Sequence, residues 1–387
     1  MKIFSRLTAF VISIVMVFTL ASCSDTTWTF KQDDMIITSG MYLRILMGAF
    51  VEAVDKAEDG EQPVLSQEID GIKADEWIKN RAKELVEQYI ATLRHFDELE
   101  LTLSETDMDS VNYLTDQEWG RYEETDARGN PKNFYLDNGI SKATLKEYYI
   151  YIKKRDLIFE RYYETDGIQE VTQEELKGYF HDEFMEIEFG HFPLFDTMTG
   201  QAFEPEEKEE LRQKVSGYVD RINAGEPIWE VAHEYYTELQ EAMEALYGSD
   251  ELGIDDHVHS EECDHEDEED QEDEAPESSR FIVKKDDTMF LQQFSQELMD
   301  AVKQTPVNSA VFFDNSEDEA DASFIIIYRY DISLNEQNYE DYRQTALRFY
   351  KEDDFDKILD DILQNLNILS NPPSIRKHRP SKLTLNQ

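Results

Sequence analysis

The sequence predicts an α+β fold, mainly helical: a front helical domain closed by a C-terminal helix, with an α/β domain inserted between them. Three observations lead there. Gly and Pro are sparse, 15 and 10 of 387 residues, which disfavours turn-rich all-β folds. Apolar residues recur at helical spacing over long stretches at the front and the end of the chain, whereas the middle holds short runs that alternate apolar and polar residues. A single amphipathic segment also stands alone near the end. A lone helix cannot bury its own stripe, so the simplest arrangement packs it back on the front helices.

The elements follow in order. Lys2 and Arg6 precede an uncharged apolar run over 7–20, and Leu20-Ala21-Ser22-Cys23 closes it with small residues before a cysteine. That order marks residues 1–22 as a secretory signal rather than a membrane span, since the run is shorter than the ~20 residues a spanning helix needs. The last four residues resemble the lipobox of bacterial lipoproteins. The resemblance implies that the Cys23 thiol takes a diacylglycerol, that the chain is cut before it, and that the new amine is acylated. It places the protein on the outer face of the cytoplasmic membrane, held by buried acyl CH₂ groups.

Residues 23–33 are expected to form a tether in which Trp28 and Phe30 alternate with polar residues, as in a short edge strand or a docking segment. The N-terminal helical domain is assigned to 34–170. Thr38 or Ser39 can cap a helix over 40–57 whose stripe is Met41, Ile45, Leu46, Ala49 and Phe50. A polar loop at 58–70 leads to a long amphipathic helix over 73–99. Ser104 caps a helix over 105–120, and Gly129-Asn130-Pro131 separates it from another over 141–165.

The second domain is assigned to 171–333. Thr172-Gln173-Glu174-Glu175 resembles a capping box. Met185, Ile187 and Phe189 alternate with glutamates, so 185–195 is expected to be a strand, followed by helices over 206–224 and 228–246. Residues 249–279 hold sixteen Asp or Glu and no Lys or Arg; such a block of like charge is expected to stay disordered. A strand over 281–283, a helix over 288–302 and strands over 310–313 and 322–330 complete the domain. Residues 334–369 are expected to form the closing helix, broken near Glu352. The basic segment 370–387, with Pro372, Pro373 and Pro380, is expected to be a loose tail.

Charge narrows the partners. The formal charge is −49, and loss of Lys2 and Arg6 with the signal takes it to −51. Such a surface repels phosphate and so excludes nucleic acid as a partner. It repels anionic headgroups as well, so the folded part is expected to stand away from the bilayer. It attracts basic polypeptides, more strongly at low salt. With Cys23 lipidated, Cys263 is left without an intrachain partner, so stability must come from packed cores.

The order of elements resembles the SurA/PrsA-type extracytoplasmic foldases, which join a helical chaperone domain to a parvulin-type prolyl isomerase domain. In the front domain the resemblance rests on Trp28, on Ile36-Ile37-Thr38-Ser39-Gly40-Met41-Tyr42, on the helix over 73–99, and on Asn138-Gly139-Ile140-Ser141. In the middle it rests on Val171-Thr172 through Tyr179-Phe180, on Gly190-His191-Phe192, and on Ile222 through Gly225 with Trp229 and Ala232. It implies a chaperone for unfolded or nascent secreted polypeptides that needs no cofactor. Rotation about an X–Pro bond faces a barrier of ~18–20 kcal/mol from amide resonance. A catalyst needs only an apolar cup for the ring and polar groups that favour the twisted amide.

In parvulins two histidines on neighbouring strands are central to that site. His191 matches the first and is the candidate catalytic residue. Phe290 and Phe294 fall where the cup residues would be. The second histidine should fall at Phe324, which would then line the cup instead. The family's Gly-Gly-x-Leu-Gly segment is also absent. The resemblance therefore implies a degenerate parvulin-like domain, weak or inactive as an isomerase, that helps hold clients.

The alternative is a metal-binding lipoprotein or solute receptor. His257, His259, Cys263 and His265 lie within nine residues amid carboxylates. Imidazole and thiolate suit zinc, although the spacing matches no closed structural site. Against a receptor, the chain has only 8 His and begins with helices rather than strand–helix alternation.

Overall fold

The computed structural model describes residues 27–57, 60, 62–125, 131–196, 200–247, 280–286, 294–317 and 322–384. Cys23, Phe290 and the acidic tract with His257, His259, Cys263 and His265 lie outside them. The fold is α+β and mainly helical, with several small antiparallel sheets. It divides into two compact units: residues up to Thr172 together with those from Phe349 on, and Gln173–Arg348.

Unit 1 begins with β1 (Trp28–Gln32) and β2 (Met35–Thr38). The Thr38 side chain accepts the Met41 N–H at 3.3 Å and so starts α1 (Ser39–Asp55) at the expected cap. A small hairpin, β3 (Glu68–Ile69) and β4 (Ile72–Lys73), leads into α2 (Ala74–Glu98). Ser104 and Asp107 form a reciprocal capping box for α3 (Glu105–Arg121). The same bonds, with Ser104 donating first, hold the Asp107 carboxyl at a pKa of about 2. β5 (Glu123–Thr125) pairs with β6 (Pro131–Asn133), which begins at the Pro131 of the expected break; Gly129 and Asn130 lie outside the described residues. A single turn, α4 (Phe134–Asp137), and the long α5 (Lys142–Tyr163) follow.

The stripe forecast for the first helix is the core. Met41, Ile45, Leu46, Ala49 and Phe50 are all buried, and they pack with Ile78, Ala82, Val86 and Ile90 of α2 and Tyr151 of α5. Each fully buried aliphatic side chain of this set contributes roughly 1.5–3 kcal/mol of transfer free energy.

Unit 2 begins with α6 (Gln173–Glu183). Its sheet runs in the order β8-β7-β10-β9, all antiparallel: β7 (Phe184–Pro193), β8 (Arg280–Lys284), β9 (Ser309–Asn315) and β10 (Ser323–Tyr330). The helices α7 (Pro205–Asn223), α8 (Ile228–Tyr247) and α9 (Gln296–Gln304) lie between the strands in sequence.

The closing helix, α10 (Glu336–Leu363), is continuous, not broken near Glu352. Asp353 and Asp354 sit beside Glu352 and lower helix propensity only slightly, whereas no Gly or Pro interrupts the run. From Phe349 onward it belongs to unit 1, where the Arg155 guanidinium of α5 donates to Glu352 and, at 2.9 Å, to Asp356. Phe355 meets Phe159 edge-on at 5.4 Å.

Two expectations are corrected in unit 1. The segment after α10 is not a loose tail. Residues 369–384 form β11 (Leu369–Ser370), the turn α11 (Pro372–Ile375) and a 3₁₀ turn at Pro380–Lys382. β11 pairs with β1, so β1 is the central strand of a three-stranded sheet rather than an edge. Leu366, Ile368, Ile375 and Leu383 pack against the unit 1 core. The Asn138 side chain donates to the Thr384 carbonyl at 2.9 Å and accepts the Thr384 N–H at 2.8 Å. The prolines that read as loosening the tail instead stand in the first turns of short helices, where no N–H is needed.

Candidate functional site

The parvulin-like expectation falls on β7 and β10, and their register decides it. Side chains alternate across a strand, so residues of one parity share a face. His191 lies opposite Ile325, and Phe192 lies opposite Phe324. His191 and Phe324 therefore point to opposite faces of the sheet.

The Phe324 face is closed. Phe324 is 1% exposed and packs with Phe192 and Ile326 on the sheet. Leu211, Val215 and Tyr218 of α7 and Val231 and Tyr235 of α8 cover them. The Phe312 ring stands 5.2 Å from Phe324, and the Arg212 guanidinium lies over the Phe324 ring at 4.8 Å. Gly190 permits this packing: a Cβ there would meet Phe192 at 3.3 Å and Ile228 at 3.6 Å. Phe324 is a core residue, not part of a cup. The position that faces His191 across the strand pair is held by Ile325, which offers no polar group to a twisted amide.

The His191 face is partly open. Its rows can be followed across the strands: Ile187 with Phe281, Phe189 with Ile327 and Val311, then His191 with Ile325 and Phe313. α9 covers the Ile187 end, where Leu298 and Val302 pack on Met185 and Val283. Toward the other end Phe189, Phe313 and His191 are only half-buried. Phe294 stands 5.6 Å from Phe189, and Phe281, 42% exposed, lies 6.2 Å from it on the other side. The Tyr236 hydroxyl of α8 donates to the His191 carbonyl at 3.0 Å and fixes the backbone there. Of the expected cup residues, the structure thus brings His191 and Phe294 to one face and removes Phe324 from it.

Next to Phe313 a cavity of about 480 Å³ is lined by Ser295, Glu297, Phe313, Asn315 and Glu317 together with Asp314. Phe313 gives this mostly polar cavity one aromatic side chain and joins it to the half-open face of Phe189 and Phe294; an aromatic face with carboxylates beside it suits an extended polypeptide bearing apolar and basic side chains. The sequence marks Phe189 only as a strand residue and Phe313 only as part of a strand, neither as a site residue. The signal was present in the alternation of each strand, but the partner of each residue was not.

One further cluster went unnoticed. Glu186 and Glu188, the glutamates that alternate with the apolar residues of β7, are both buried. The Asn338 amide donates to Glu186 at 2.7 Å, the Tyr330 hydroxyl donates to Glu188, and Arg280 pairs with both at 3.4 and 3.7 Å. Burial pushes the Glu188 carboxyl above the usual carboxylate range, partly offset by the Tyr330 and Arg280 contacts. Every member has a partner, so the cluster ties β8, β7, β10 and the start of α10 together.

Among the described residues no group of three His, Cys, Asp or Glu is placed to hold a metal ion, and no helix is long and apolar enough to cross a membrane. No protein-family model matches the chain, and a search of the curated proteins finds no match.

Proposed function

We propose that the protein is a membrane-anchored extracytoplasmic chaperone or foldase that holds unfolded segments of secreted polypeptides, with a parvulin-like domain that is weak or inactive as a prolyl isomerase. The observation that carries this reading is the half-open aromatic face of the unit 2 sheet, Phe189, Phe294 and Phe313 beside His191, with Glu297 and Glu317 at its rim. Aromatic surface binds unfolded chain without sequence readout, and the acidic rim favours basic segments and keeps the complex soluble. Weak catalysis follows from Ile325 standing where a second polar group would be needed. The anchor is the acylated Cys23, in keeping with the short apolar run and small residues before it.

The test is suppression of aggregation. The purified chain is mixed with a denatured, basic exported protein, and light scattering is followed. Protection that weakens as salt is raised supports the reading; no protection at any molar ratio overturns it. A proline-limited refolding assay should show little acceleration. Mass spectrometry of the mature N-terminal peptide should show acyl chains on Cys23.

A further inference from the structure

Carboxylates outnumber Lys and Arg by more than two to one in this chain, 86 to 37. One cavity reverses that balance. It belongs to unit 1 and has a volume of about 440 Å³. Phe30, Tyr42 and Ile375 give it an apolar wall. Lys79 and Lys83, one turn apart on α2, line it together with Arg376 and Arg379 of the last segment, and His378 joins them. Asp75 is the one carboxylate lining it, and it is engaged by Lys79. Lys83 pairs with Glu87 at 3.0 Å outside the lining, and among the described residues no ion pair engages Arg376 or Arg379. The cations are here because the last segment docks: the chain after Asp361 carries Arg376, Lys377, Arg379 and Lys382 and no Asp or Glu.

A second observation fixes where this cavity lies. The Thr27 carbonyl, at the start of β1, accepts from the Ser39 N–H at 2.8 Å and the Ser39 hydroxyl at 3.0 Å. The Ser39 hydroxyl is 3.3 Å from that of Ser374, the residue before Ile375 and Arg376. The Asn371 amide donates to the Trp28 carbonyl at 2.9 Å. The tether therefore leaves the fold beside the short helix that leads into the cations. From Cys23 to Thr27 a fully extended chain spans at most about 14 Å.

We propose that this cavity receives the phosphate headgroup of an anionic phospholipid, so that the acyl chains on Cys23 and the cationic cavity hold the same end of unit 1 against the bilayer. The proposal rests on the anchoring reading and not on the client reading. The net charge of −49 repels an anionic bilayer, and the cavity acts against that repulsion locally. Salt screens exposed charges beyond ~8–10 Å, so the carboxylates on distant faces act only weakly on a headgroup at the cavity, where Lys79 and Lys83 share their charge with Asp75 and Glu87 while no ion pair among the described residues engages Arg376 or Arg379. Juxtamembrane Lys and Arg strengthen binding to anionic lipid additively, while a neutral bilayer gains nothing from them. The apolar wall suits the glycerol and first methylenes that carry the phosphate.

The test is vesicle sedimentation with the unlipidated chain 24–387, which retains every described residue. Phosphatidylcholine vesicles are compared with vesicles in which a third of the lipid is phosphatidylglycerol. The expected result is at least about tenfold stronger partitioning onto the anionic vesicles, reduced by salt, and loss of that preference in K79Q/K83Q/R376Q/R379Q. A control that removes four exposed cations elsewhere on unit 1, K56Q/R121Q/K142Q/K357Q, should keep it. Circular dichroism melts show whether each variant remains folded. No preference for anionic vesicles, or equal losses in the two variants, overturns the proposal. Release by soluble glycerol phosphate, beyond that of sodium chloride at equal ionic strength, is expected because it is the headgroup without its chains; binding of soluble glycerol phosphate with no preference for anionic vesicles overturns the proposal, because the ligand is then a free phosphate. Absence of acyl mass at Cys23 overturns the anchoring reading and with it the joint hold, while the vesicle preference still reads the cavity by itself; failure to suppress aggregation overturns the client reading alone.

Discussion

The two faces of the unit 2 sheet are made by the same strands and have opposite fates. On one, Phe324, Phe192 and Ile326 vanish beneath α7 and α8. On the other, Phe189, Phe313 and His191 stay half-covered once α9 has taken the Ile187 end. Both faces are rich in phenylalanine, so composition does not separate a closed core from an open face. What separates them is whether a helix of the same chain lies on top. A register shift of one residue would exchange the two sets entirely.

The contrast can be broken most sharply at Phe324. Phe324→Ala should destabilise unit 2 by about 3–5 kcal/mol, read as a lowered urea midpoint, because a fully buried ring leaves a cavity under α7. A change within experimental error would mean that the closed face is not closed.

Next comes the buried carboxylate. Burial raises the folded pKa of Glu188, so its contribution to stability is fully present below the unfolded carboxylate pKa and is lost as pH rises through the raised value. Unit 2 should therefore weaken over that interval, and Glu188→Gln, which fixes an uncharged group there, should flatten the slope. Urea unfolding of both proteins from mildly acidic to neutral pH measures it; parallel slopes would assign the pH dependence elsewhere.

A smaller stability effect is expected on the open face. Phe313→Ala should cost about 1 kcal/mol, since the ring is only partly withdrawn from water, yet it should reduce aggregation suppression several-fold. If instead it unfolds the unit and leaves protection per folded molecule unchanged, Phe313 is core. The smallest effect belongs to His191→Ala. With Ile325 opposite, the slight rate of proline-limited refolding should be the same with and without the imidazole. A clear loss of rate would restore a catalytic role to His191.

Much of the fold was legible in the residues. Thr38 and Ser104 cap the helices they were expected to cap, because a short side-chain oxygen before an apolar stripe satisfies an N–H that the helix leaves open. The strands around Met185 and Phe324 were legible from alternation and β-branched runs. The candidate site was legible only in part. His191 and Phe294 share a face, but Phe324 was placed beside His191 by analogy, and a position in a motif does not state a register. The tail misled for a related reason. Prolines and basic residues read as loose chain, while Leu366, Ile368, Ile375 and Leu383 were too widely spaced to read as a stripe.

By itself the sequence determined the helices, their caps, the strand segments and the surplus of acid, since each depends on neighbours within a turn or two along the chain. The tertiary structure alone decided which face of the sheet stays open, that β1 lies between two strands, that Glu186 and Glu188 are buried, and that Arg376 and Arg379 gather with Lys79 and Lys83. These depend on contacts between residues far apart in the chain, and no local pattern of side chains specifies which distant partner arrives.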